Sequence, residues 1–230
     1  MAYPQNPETI LLQNKYYPKG FKEIDSYNYY QKNKGRILQQ VQGRDLMFWI
    51  ATDVNKSIIQ RKGKETNYIR LNNSNYDNTV HGRVISIHSA MKRTDDIGII
   101  DIDCDDWDEA KQAAIDTYEY VIQKFPIVNS VEIRYTGKTG FHIFCRLNRS
   151  LNVDATRFLF EKFLRESPLS KKYTIEQKRT HGTANLDLAP NKFRGPFITL
   201  HSLSIWGLRC MVIDHGDIQK FDPYHATIKI

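Results

Sequence analysis

The stretch that most limits how this chain can fold is Ile99-Ile-Asp-Ile-Asp103. Side chains on a strand alternate between its faces, so Ile100 and Ile102 share one face. Asp101 and Asp103 share the other, about 6.5 Å apart along the chain. The apolar face demands a core, while the acidic face brings two like charges together, which a proton or cation would offset. Hard divalent ions suit carboxylate oxygens and commonly bring a phosphate with them. The bland alternative is solvated charge at a strand end. A calcium loop is excluded by position: Asp101, Asp103 and Asp105 would fit, but Asp106 stands where glycine is needed and Gln112 where glutamate is needed.

The segments around this strand set the fold class. Trp107, Ala110, Ala114, Tyr118, Val121 and Phe125 recur at spacings of three and four, predicting a helix that Pro126 ends. Runs 131–135 and 141–147 predict paired strands around the turn at Gly137–Gly140. A second helix is expected from about Asp154 to Glu166, capped by Asn152 or Asp154, followed by strands at 186–188, 197–203 and 210–213. From residue 99 the order is β-α-β-β-α-β, an α+β, RNA-recognition-like arrangement. Upstream, a helix near 26–40, strands at 46–50, 57–60, 67–71 and 83–88, and a loop at 72–80 are expected. The 230 residues therefore divide into an N-terminal lobe of about 1–90, a core of about 91–215 and a tail of 216–230, forming one functional domain.

With 13 Tyr, 11 Phe and 3 Trp, the chain is too aromatic for a disordered segment. Apolar runs fall short of a membrane span, and the N-terminus lacks a signal-peptide pattern, so no membrane partner is expected. Cys104, Cys145 and Cys210 are scattered and form no CxxC pair, so neither structural zinc nor a disulfide framework is expected, and an intracellular setting fits. The net charge of +7 favours polyanionic partners.

Two further segments carry candidate chemistry. Thr136-Gly-Lys-Thr-Gly-Phe-His142 contains Gly-Lys-Thr but is not a P-loop, because Glu132 stands where the first glycine belongs. It reads either as an ordinary hairpin turn or as a phosphate-binding turn, with backbone N–H groups, Thr136, Lys138, Thr139 and His142 as donors. Asn185-Leu-Asp-Leu188 places one carboxylate, Asp187, in an apolar strand. Lys192 and Arg194 follow and would serve as ion-pair partners if Asp187 is structural.

In this order the three segments resemble the archaeo-eukaryotic primase superfamily: a strand with Asp-x-Asp, a Gly-rich turn leading to histidine, and an Asp strand followed by a basic segment. Arg194-Gly-Pro-Phe-Ile-Thr-Leu-His201 is similar to the family's Arg-x-Pro-x-Ser-Leu-His stretch. Tyr29-Tyr30, Gly43-Arg44, Gln60-Arg61-Lys62 and Ile87-His88 extend the likeness toward the polymerase domain of bacterial end-joining ligases, over roughly residues 20–213. The usual serine is Thr136 here, the turn lysine is displaced by one position, and the spacing from Asp187 to Arg194 is short.

The resemblance implies a two-lobed primase-polymerase fold in which Asp101, Asp103 and Asp187 hold two divalent ions, Mg²⁺ or Mn²⁺. It also implies that His88, Thr136, Lys138, His142 and Arg194 contact the nucleotide triphosphate, and that Lys62 meets nucleic acid. The implied activity is template-dependent nucleotidyl transfer, as a DNA primase or DNA polymerase in replication or repair. Its partners would be a DNA template or primer and NTP or dNTP, with any helicase or ligase a separate chain. A metal-dependent nuclease and a non-catalytic single-stranded DNA-binding protein are the competing expectations.

Overall fold

The computed structural model describes residues 26–51, 59–62, 69–80, 84–137, 140–176, 182–204 and 207–228. The chain divides into two compact units, residues 1–90 with 196–211 and 222–230, and residues 91–195 with 212–221. Residues 196–211 thus cluster with the N-terminal lobe.

In the first unit, helices α1 (Ser26–Lys32) and α2 (Lys34–Val41) stand where one helix is expected, separated at Asn33. Strands β1 (Leu46–Ala51), β2 (Ile59–Lys62), β3 (Val84–Ala90) and β9 (Pro196–Ile198) form an antiparallel sheet in the order β2-β1-β3-β9. Tyr30, Ile37, Val41, Leu46, Phe48, Ile85 and Ile87 make its core. The Tyr30 hydroxyl lies inside this core, where it donates to the Ile85 carbonyl at 2.6 Å and accepts from the Leu203 N–H at 3.1 Å. Burial pushes its pKa far up, so the phenol stays neutral.

Three local expectations are corrected in this unit. Within the stretch 67–71, the described residues 69–71 carry only an isolated bridge between Leu46 and Ile69. The expected loop at 72–80 contains a short helix, α3 (Tyr76–Thr79). Tyr76 anchors it, fully buried with its hydroxyl on the Tyr30 carbonyl at 3.0 Å. The strand expected over 197–203 stops at Ile198. Thr199 accepts a turn bond from the Ser202 N–H, and His201 takes a positive φ of 68°, which a continuing strand does not allow.

The second unit follows the β-α-β-β-α-β order. Its elements are β4 (Thr94–Asp103), α4 (Trp107–Lys124), β5 (Val128–Tyr135), β6 (Phe141–Asn152), α5 (Val153–Glu166), β7 (Thr174–Ile175) and β8 (Asn185–Asp187), with β10 (Met211–Ile213) at one edge. The sheet order is β10-β5-β6-β4-β8-β7. Asp106 caps α4 by accepting the Glu109 N–H at 2.8 Å, and Asn152 caps α5 through the Asp154 N–H at 2.9 Å.

Both helices serve the apolar face of this sheet. Trp107 stacks on Phe141 with ring centroids 5.3 Å apart, and Ala110, Ala113, Ala114 and Val121 are fully buried. Gly98 lets α5 approach β4, because a Cβ there would lie 2.4 Å from the Phe160 ring. Among the described residues, no helix is long and apolar enough to cross a membrane.

Candidate active site on the second sheet

With one face of the second sheet covered by helices, the alternating residues point to the other face. Pairing places Asp101 opposite His142 on β6 and opposite Asp187 on β8, while His142 pairs with Arg134 on β5. Directly opposed residues share a face, with Cβ atoms about 5 Å apart. Arg134, His142, Asp101 and Asp187 therefore form one row across four strands. Asp103, opposite Asn185, lies one step along the same face.

His142 is almost fully buried, and its Nε2 lies 3.5 Å from Asp101 Oδ1. Asp101 and Asp103 are half-buried. Asp187 Oδ1 accepts the Ala189 N–H at 2.7 Å, so this carboxylate also closes the turn after β8. Among the described residues, no three His, Cys, Asp or Glu side chains converge into a ready-made metal cluster. The donor chemistry still fits hard divalent ions: three carboxylates share one face on adjacent strands.

The turn between β5 and β6 is built by more than glycine flexibility. Thr136 donates from both its N–H and its hydroxyl to the Gly140 carbonyl, at 3.2 and 3.0 Å. The Thr136 hydroxyl thus closes its own hairpin. Gly137 takes φ 81°, the left-handed region that glycine enters cheaply. Gly140 has a different reason to be glycine: a Cβ there would fall 2.4 Å from the Ile102 carbonyl oxygen and 3.8 Å from Asp103 Oδ1. Lys138 and Thr139 lie outside the described residues.

Arg194 occupies a tight turn after β8, at φ 59°. Its N–H donates to the Met91 carbonyl at 3.0 Å. Its backbone is thereby placed toward the start of β4, whereas Asp101 and Asp103 lie near that strand's end. The remaining two candidates belong to the first unit. His88 is half-buried on β3, with Nε2 2.9 Å from Ser86 Oγ. Lys62 pairs by backbone with Phe48 at the end of β2, and its side chain lies outside the described residues. The second sheet thus gathers Asp101, Asp103, Asp187 and His142, with Thr136 at the adjoining turn.

Sequence reasoning assigned no role to three residues that shape this face. Arg134 is buried, lies 3.4 Å over the Phe144 ring, and donates from Nε and Nη2 to Glu132 Oε2 at 2.8 and 2.6 Å. The signal for it was Glu132-x-Arg134, two charges at strand spacing on the face that His142 shares. Asn191 is fully buried and pairs like a strand residue, accepting the Ile99 N–H at 2.9 Å and donating to the Ile99 carbonyl. Glu176 binds the Leu188 N–H and Arg157, tying β8 to α5. Nothing local in the sequence marks these last two, because their partners lie 12 to 92 residues away.

The strand order β8-β4-β6-β5, with two helices on one face and the Arg134–His142–Asp101–Asp187 row on the other, belongs to an α+β chain similar in fold to a primase-polymerase domain. The particular likeness is to the polymerase domain from Mycobacterium tuberculosis Ligase D, solved in complex with DNA. The TM-score is 0.71 at 11% identity, covering 86% of this chain and 82% of that one. At this identity the likeness is one of fold. No family model matches the chain, and no curated protein matches it.

Proposed function

We propose that the chain is a template-dependent nucleotidyltransferase, a primase or polymerase, that joins NTP or dNTP to a growing strand at the Asp101–Asp103–Asp187 face. The observation that carries this reading is the row itself. On a sheet whose opposite face is a packed core, Asp101, Asp187 and the buried His142 line up in register, and Asp103 stands one step along the same face. The fold shared with a polymerase domain that was solved with DNA supports the same reading.

Bound Mg²⁺ or Mn²⁺ would lower the pKa of an attacking hydroxyl and neutralise the triphosphate. The protein's own share is positioning. Asp101 and Asp103 project from a strand pinned on both sides, by β6 and β8, so the distance between them is fixed. Asp187 would exchange its bond to the Ala189 N–H for a cation. His142, buried between Arg134 and Asp101, would donate from its ring to a phosphate oxygen and keep that oxygen aligned with the carboxylates. Such preorganised charge is the main contribution a protein makes to phosphoryl transfer.

The test is incubation of the purified chain with a primed or bare template, labelled NTP or dNTP, and Mg²⁺ or Mn²⁺. Extension of the strand supports the proposal. Strand degradation would select a nuclease, and retention of DNA without incorporation would select a simple binding protein; either result overturns it.

A further inference from the structure

Away from the acidic row, the second unit carries a surface cluster that the reading above does not use. Two short segments, 91–93 and 192–195, are joined by reciprocal backbone bonds. Met91 N–H donates to the Gly195 carbonyl and Arg194 N–H to the Met91 carbonyl, both at 3.0 Å. The second segment is rigidly built. Lys192 N–H donates to the Pro190 carbonyl and Gly195 N–H to the Lys192 carbonyl, while a Cβ on Gly195 would fall 2.0 Å from the Pro190 oxygen. The left-handed φ of Arg194 is uncommon for a residue with a side chain. This construction holds Phe193 at the surface, 46% exposed.

Two guanidiniums flank the Phe193 ring, Arg93 at 4.8 Å and Arg194 at 5.3 Å from its centroid. Lys92 and Lys192, both exposed, adjoin them in sequence. Among the described residues, Lys92, Arg93 and Lys192 form no ion pair with a carboxylate. The neighbouring acids are engaged elsewhere: Asp95 is buried and accepts the Lys92 and Asp96 N–H groups, and Asp96 faces Arg146 at 3.6 Å. A lone exposed aromatic is ordinary. An aromatic with two guanidiniums over its ring, with Lys92, Arg93 and Lys192 beside it and fixed on a rigid turn, has the chemistry of a base-stacking platform with phosphate contacts.

We propose that Phe193, with Arg93, Lys92 and Lys192, is a docking point for single-stranded nucleic acid, Phe193 stacking on a base and the cations meeting the adjoining phosphates. The ligand class rests on the nucleotidyltransferase reading. The site itself is separate, lying near the start of β4 while the aspartates lie near its end, about 23 Å along the strand. It would hold the strand several nucleotides away from the reacting end.

The experiment is fluorescence anisotropy with labelled oligothymidylate and oligouridylate of about 20 nucleotides, in EDTA and without triphosphate. Because neither metal nor nucleotide is present, an inactive carboxylate centre does not affect the result. Phe193→Ala is expected to bind both probes roughly five- to tenfold more weakly, with Phe193→Tyr restoring binding to within about twofold. Lys92→Ala with Arg93→Ala should make the log–log salt slope shallower by about 1.4. In Phe193→Trp, emission above that of the parent chain should be quenched on saturation. Phe193→Ala binding within twofold of the parent, or unchanged Phe193→Trp emission at saturation, would overturn the platform even if strand extension is observed. Phe193-dependent binding without extension would leave the platform standing and remove the catalytic reading.

Discussion

Gly140→Ala separates two reasons for the glycine-rich turn. In the phosphate-binding reading, Gly140 is glycine so that backbone N–H groups can approach a triphosphate. The structure supplies another cause. A Cβ at this position would stand 2.4 Å from the Ile102 carbonyl oxygen, which belongs to β4 between the two aspartates. Ordinary van der Waals contact for a Cβ begins near 3.4 Å, so β6 and β4 would have to part by about 1 Å where Asp103 projects. Both strands are held by neighbours and packed on α4, and overpacking of this kind costs about 1–3 kcal/mol. For a chain of this length that corresponds to a fall in melting temperature of roughly 2–12 °C. A shift of this size beside reacting groups can cost on the order of 100-fold in rate. Urea denaturation without metal, run beside nucleotide incorporation, measures both effects. Parental stability in Gly140→Ala, within about 0.5 kcal/mol, would refute the close-approach argument. If nucleotide affinity alone then fell, the phosphate cradle would account for the glycine.

Two further substitutions test the packing around the site. Arg134→Met should cost about 2 kcal/mol, because it removes a buried guanidinium from the Phe144 ring and strands Glu132, which is 39% exposed and can turn partly to water. Adding Glu132→Gln should recover part of that loss, and a double-mutant cycle in urea measures the coupling. Asp116 offers a pH signature. Burial raises its pKa, but hydrogen bonds from Lys172, Gln112 and Tyr173 outweigh burial and leave it below its ordinary 3.8. The stability from that depressed value is present above about pH 4 and is lost as pH falls through the folded value. The stability gap between the parent chain and Asp116→Asn should therefore narrow below about pH 4, and a gap constant from pH 6 to pH 2.5 would contradict it.

What the sequence made legible was local. The alternation in Ile99–Asp103 marks a half-buried strand with two carboxylates outward, and β4 is that strand. The three- and four-residue stripe from Trp107 marks α4, whose start is fixed by the Asp106 cap. What stayed hidden depends on distant pairing. Asp187 meets Asp101 only because β8 adds to β4 across more than 80 residues, and no local pattern states that register. Asn191 and Glu176 are similarly defined by remote backbone groups. The stretch 72–80 looked like a loop by its asparagines, yet the buried contact of Tyr76 with Tyr30 makes a helical turn worthwhile there. Residues 199–203 had strand-like composition. Their backbone turns instead, with Ser202 Oγ accepting the Ile87 N–H at 2.7 Å.

The most direct measurement is single-nucleotide incorporation on a primed template with Mg²⁺ or Mn²⁺, comparing the parent chain with Asp101→Asn, Asp103→Asn and Asp187→Asn. Denaturation midpoints taken alongside show that each variant is folded. Loss of incorporation by roughly 1000-fold or more in all three folded variants is the expected result, since each removes one carboxylate from the face that would hold the cations. Incorporation at the parental rate in any one of them would contradict the assignment of that face as the catalytic centre.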